Sequence, residues 1–259
     1  TDSLDIHYFL VPQKKYQTNY NIEGSLNYGD FTAGNLVGIS ANATLNNRNV
    51  WKQAIQSSTN LRAVTELNIL RKSDASQSNT DLIQTLLFSV GHSYSFPRLI
   101  MPKKLRAKSI FRNAVDKRTL IAANAAYTER FEIYRLRSGV LSWGYEGQKN
   151  GNFFLWKPFN VELYKIDTLP GLDTLFKANP YLRNSFNDGN VVGLGIGGLN
   201  YSKTFYGKKN RLNNHFVRFG FEQSGLLTSF IKPLENKIFK FIKLESEYKF
   251  NRKKIKSEL

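Results

Sequence analysis

Tyr16-Gln17-Thr18-Asn19-Tyr20-Asn21-Ile22-Glu23-Gly24-Ser25-Leu26-Asn27-Tyr28 alternates without a break. Its odd positions are Gln, Asn, Asn, Glu, Ser and Asn, and its even positions carry the tyrosines, Ile22 and Leu26. A strand sends successive side chains to opposite faces, so this period of two predicts one apolar face tipped with tyrosine and one polar face. Such a strand buries one side and wets the other. In a soluble sandwich the apolar side meets a core; in a membrane-spanning barrel it meets lipid, with tyrosines near the interface.

The same pattern recurs along the chain. After a short turn opening at Gly29-Asp30, residues 36–46 set Val37, Ile39, Ala41, Ala43 and Leu45 against Gly38, Ser40, Asn42, Thr44 and Asn46, which predicts a hairpin. An Asn47-Arg48-Asn49 turn leads to residues 55–69, where Leu61, Ala63, Leu67 and Ile69 oppose Gln56, Ser58, Asn60, Arg62 and Glu66. Residues 71–85 read as a polar loop. Residues 86–96 then alternate Phe88, Val90, Tyr94 and Phe96 with Ser89, Gly91, Ser93 and Ser95, and Pro97 and Pro102 end that strand. Further strands are expected at 119–128, 131–145, 155–166, 191–205, 216–226 and 239–250. A short amphipathic helix, broken at Pro180, is expected within 169–188. Each strand has the length a tilted strand needs to cross a hydrocarbon layer. On the last, Lys243, Glu245, Glu247 and Lys249 share the wet face, suggesting a hydrated lumen of paired signs.

Composition narrows the classes. With 259 residues the chain can form one large β domain, and with no cysteine it has neither disulfide nor thiolate chemistry. A formal charge of +17 points toward nucleic acid or an anionic membrane surface. The aromatic share of 14%, falling at the ends of alternating runs, favours a girdled barrel over a nucleic-acid module. No apolar run is long enough for a transmembrane helix, and residues 1–11 lack the segments of a signal peptide. The densest basic stretch, 103–118, reads as a solvated connection or a contact with anionic headgroups.

Chemistry-bearing motifs are scarce. His7, His92 and His215 stand far apart without a second ligand at metal spacing, and His92 falls in the apolar register beside Val90 and Tyr94. Gly193, Gly195, Gly197 and Gly198 lack the βαβ setting of a phosphate loop and instead leave room for a bend or a neighbouring backbone. Neither a nucleophile elbow nor a carboxylate pair is visible. The reading is no enzyme, no catalytic residue, no metal and no cofactor.

The element Phe96-Pro97-Arg98-Leu99-Ile100-Met101-Pro102, following an alternating strand and the Asn47-Arg48-Asn49-Val50 turn, resembles the barrel of the bacterial surface antigen superfamily. BamA-like and TamA-like outer-membrane assembly factors belong to it, and the similarity is nearest to its TamL-like members. The run Asn179-Pro180-Tyr181-Leu182-Arg183-Asn184-Ser185-Phe186 is similar to a TamL-like segment. The resemblance implies an all-β, antiparallel transmembrane barrel, here a partial one of about ten strands from a sixteen-stranded family. Residues 1–12 would end a POTRA-like domain and 13–259 would be the N-terminal part of the barrel. It further implies the outer membrane of a Gram-negative bacterium as location. The function implied is insertion, assembly or translocation of client proteins through a lateral seam. Partners would be outer-membrane lipid, client outer-membrane proteins and a periplasm-spanning protein, with no nucleic acid. Tyr16, Tyr20, Asn21, Ile22, Glu23, Ser25, Leu26 and Tyr28 would form the gate strand. Asn42, Arg62, Glu66, Lys243, Glu245 and Glu247 would face the lumen. Two alternatives stand beside it: a passive porin-like channel, and a basic soluble β protein that binds nucleic acid.

Overall fold

The computed structural model describes residues 14–27, 36–68, 83–104, 111, 114–178, 189–195, 197–206, 213–225, 238 and 240–252. They form an all-β protein with one short helix. In chain order the elements are β1 (Tyr16–Asn27), β2 (Leu36–Val50), β3 (Ile55–Asn68), β4 (Ile83–Phe96), β5 (Asp116–Arg130), β6 (Tyr134–Lys149) and β7 (Asn152–Thr168). Then follow α1 (Gly171–Ala178), β8 (Gly189–Gly195), β9 (Gly198–Tyr206), β10 (Asn213–Ser224) and β11 (Phe241–Arg252). The strands make a single antiparallel sheet in sequence order from β1 to β11. β8 and β9 both pair with β7 and with β10, so they are two halves of one row. Eleven strands thus fill ten rows. Among the described residues β1 pairs only with β2 and β11 only with β10, so the sheet is open and no closed barrel is formed.

Register follows the alternation. Tyr20, Ile22 and Leu26 lie opposite Ala43, Ala41 and Val37, which continue to Leu61, Ala63 and Leu67 on β3. The opposite face runs Asn21, Asn42, Arg62, Ser89 across four strands. Curvature is legible from a hollow of about 550 Å³ on the polar face, lined from Gln17 on β1 to Glu146 on β6. In a flat sheet those rows would stand about 24 Å apart. The sheet therefore curls toward its polar side, leaving the apolar side convex.

Several boundaries differ from expectation. The strand after 36 runs on through Asn47-Arg48-Asn49 to Val50, and the turn is Trp51 to Ala54. Side chains explain it: Asn47 Oδ1 accepts from the Asn49 N–H at 3.1 Å, and Asn49 Oδ1 accepts from the Ala54 N–H at 2.9 Å. Polar Asn thus closes the turn from within the strand. Ile83 to Thr85, expected in a loop, belong to β4, while Phe131 to Ile133, expected in a strand, form the tight β5–β6 turn. Residues 1–11, Tyr28, His7, the 71–82 loop and the 179–186 run lie outside the described residues.

The row of β7 is broken on purpose by Pro158, which has no N–H to give a ladder. Trp143 faces Phe159 while Tyr145 faces Trp156, so β7 carries an extra residue there. The β8–β9 row carries its own extra residue at the same level, between Gly195, opposite Asn160, and Gly198, opposite Lys157. Gly197 makes this possible with φ of 83°, and its N–H reaches the Lys157 carbonyl at 3.2 Å.

Residues 98–101 and Phe111, between β4 and β5, lie over the convex face. Leu99 and Phe111 are buried with Tyr145, and Met101, Phe154 and Trp156 pack against them. Thr119, fully buried, accepts from the Ile100 N–H at 2.9 Å and donates to the Arg98 carbonyl at 2.8 Å. At the other end of the strands α1 is tied to the β5–β6 turn, the Gly171 N–H donating to the Glu132 carbonyl at 2.8 Å. We call the end with the β5–β6 turn the upper rim and the end with the β2–β3 and β6–β7 turns the lower rim.

Candidate functional site

The expected gate strand is β1. Tyr20, Ile22 and Leu26 point outward and lie 78%, 79% and 64% exposed, whereas Asn21, Glu23 and Ser25 point into the curve. Asn21 Nδ2 donates to Glu23 Oε1 at 2.5 Å, and Arg48 holds Gln17 at 2.7 Å from β2. Tyr16 lies under the Lys15 ammonium, 5.2 Å from the ring centre. Its far ladder has no strand partner among the described residues, so an edge of backbone N–H and C=O groups is available for strand addition.

The expected lumen residues fall into two separate groups on the concave face. Asn42 and Arg62 are direct cross-strand partners, and Glu66 stands opposite Gly38 and Thr85. Far across the sheet, Lys243 pairs with Glu245 at 2.6 Å and Lys249 with Glu247 at 2.7 Å. Beside Lys243 and Glu245 lies a hollow of about 180 Å³, lined also by Lys157, Arg218 and Glu222 and by Gly195, Gly198 and Gly220. Lys157, Arg218, Glu222 and the neighbouring Glu162, held by Asn160 at 2.8 Å and Tyr164 at 2.9 Å, were not singled out in the sequence. Arg218, Gly220 and Glu222 show the alternation plainly. Lys157 does not, because the extra residue at Pro158 reverses the phase.

The convex face has the opposite character. Among the described residues its charges stand only near the two ends of the strands. Glu129, Arg135 and Asp167 form one cross-strand row at the upper rim, with Arg137 and Lys165 in the next row down. Lys117, Lys149, Lys203 and Arg252 lie toward the lower rim. Between them stand residues such as Ala125, Leu141, Trp143, Phe159, Val161, Leu163 and Phe219.

Aromatic rings gather at the lower rim. Trp51 stacks on Tyr94 at 5.8 Å, and His92 meets Tyr94 edge-on at 4.6 Å while its Nδ1 lies 2.8 Å from Thr59 Oγ1. A second patch sets His215 against Phe205 and Phe250, with Tyr248 OH 2.9 Å from Nδ1. Both histidines are thus packed among rings, and no cluster of metal-binding side chains occurs among the described residues.

Compared with protein-family models, curated proteins and solved structures, the chain matches none. What the fold itself defines is an open antiparallel β-sheet with an apolar convex face and a polar concave one.

Proposed function

We propose that this chain is part of an outer-membrane β-barrel whose first strand, β1, forms a lateral seam for inserting, assembling or translocating other outer-membrane proteins. The observation that carries the membrane reading is the convex face: large apolar side chains lie exposed from β1 to β11, while the mid-strand charges turn inward. Only eight hydrophobic residues are buried among the described residues, too few for a soluble domain of this size. From Arg137 to Lys149 strand β6 rises twelve residues, or about 40 Å. At a tilt near 40° that is about 30 Å along the membrane normal, the thickness of a hydrocarbon core.

The seam reading rests on the bare ladder of β1 and on the resemblance of the 96–102 element to surface-antigen barrels. Unpaired backbone groups in lipid are costly, so such an edge captures a strand. Photocrosslinkers at Asn21 and Ser25 test it. They should trap client strands, and trapping only from mid-sheet positions such as Ser89 would overturn it. The second reading, a porin-like channel, draws on the charged concave face near Arg218 and Lys243. Steady conductance in planar bilayers, without client crosslinks at β1, would favour it. Folding in buffer without detergent would remove both and favour a soluble protein.

A further inference from the structure

The geometry points to a binding site for an anionic phospholipid on the convex face, with its phosphate between Arg137 and Lys165 and an acyl chain running down past Gly139. Arg137 and Lys165 are direct cross-strand partners on one face. Like charges placed opposite each other repel, and such a pair calls for an anion. The nearby carboxylates supply too little. Glu129 is engaged by Arg135 at 2.7 Å and by the Tyr127 hydroxyl at 2.6 Å. Asp167 alone is shared by Arg137 at 3.5 Å and Lys165 at 3.8 Å. Three cations thus meet two carboxylates, and the Arg137 and Lys165 side chains are 54% and 50% exposed.

Directly below, toward the apolar belt, comes the row Ala125, Gly139, Leu163, then Ala123, Leu141, Val161. A Cβ built on Gly139 would meet nothing within 4 Å, so Gly139 and the alanines beside it leave an open track beneath the two cations. A charged clamp at the edge of an apolar belt with a chain-width track under it fits a two-part ligand, a phosphate head on a hydrocarbon tail. Headgroup attraction of this kind is worth a fixed increment per cation near a membrane surface.

This inference rests on the membrane reading above, and the test separates the two. The full chain is first offered to phosphatidylcholine vesicles. Failure to insert sinks the membrane reading and this site with it. Inserted protein is then extracted in detergent and weighed intact by mass spectrometry with phosphatidic acid and phosphatidylcholine supplied equally. Preferential retention of phosphatidic acid is expected, reduced roughly thirtyfold in R137Q/K165Q, the loss expected for two surface cations. R137K/K165R should keep the preference, which guards against misfolding of the neutral variant. Gly139→Leu should weaken retention with the clamp intact. Equal retention of the two lipids by the native chain, or displacement by inorganic phosphate at the same concentration, overturns the lipid site and leaves the membrane reading standing.

Discussion

Tyr145 donates its hydroxyl to the carbonyl of Ile100 at 2.9 Å, joining strand β6 to the connection that precedes β5. That bond and the two made by Thr119 hold residues 97–101 against the convex face, with Phe111 driven over Gly147 so closely that a Cβ there would come within 2.7 Å of its ring. Leu99 and Phe111 are thereby docked on Tyr145 as a small core of their own.

Thr119→Val should therefore cost more than its size suggests. It leaves the Ile100 N–H without its acceptor and the Arg98 carbonyl without its donor, a loss of about 1–3 kcal/mol for a buried site. Urea titration in detergent should show a lowered midpoint, and limited proteolysis should cut between Pro97 and Lys104. An unchanged midpoint together with unchanged proteolysis would disprove the docking.

Leu141→Arg and Ser142→Arg are neighbours in sequence and opposites in space. Leu141 lies mid-belt on the convex face and Ser142 on the concave one. In a bilayer the first should cost about 2–4 kcal/mol and the second close to nothing. In a soluble sheet with Leu141 already 48% exposed, both would be mild. Equal, small effects in lipid would argue against the membrane reading.

Gly197→Ala asks for a left-handed backbone at φ of 83° from a residue with a Cβ, at a cost of about 1–2 kcal/mol. Nothing crowds the position, so backbone strain alone should be measured. A neutral result in equilibrium unfolding would mean that the bulge at this level is not required.

Glu245→Gln removes an exposed partner of Lys243 on the concave face. Its midpoint of unfolding should not move measurably, since exposed ion pairs contribute little. Single-channel recording should instead show a shift toward anion selectivity if the hollow beside β10 and β11 conducts.

The alternation made the strands and their facing legible. Tyr20 and Ile22 against Asn21 and Glu23, or Phe88 and Val90 against Ser89 and Gly91, state their faces in a few residues, and ten rows follow from counting such runs. What escaped was non-local. Nothing near Thr119 in sequence announces that it binds Arg98 and Ile100, and the basic run after Met101 hid the buried Phe111 and Ala114. The concave hollow escaped for a related reason: Lys157, Arg218 and Lys243 come from three strands and meet only once their rows are ordered. Arg137 and Lys165 stand on two different strands, and only the register sets them side by side.

The bulge at Pro158 bears on how this sequence can change. In a two-phase pattern a single inserted or deleted residue exchanges the faces of everything between it and the next turn, so length changes inside a strand are far more damaging than substitutions. β7 already contains one such frame shift. Asn152, Phe154 and Trp156 point outward on one side of it, and Phe159, Val161 and Leu163 on the other. Removing Pro158 alone would let Trp156, Lys157 and Phe159 alternate directly, and would leave the extra residue of the 195–198 segment without its counterpart across the row. Removing it together with one residue of the 195–198 segment would restore a common frame in both rows, so the two irregularities behave as a matched pair of punctuation marks that can be lost only together.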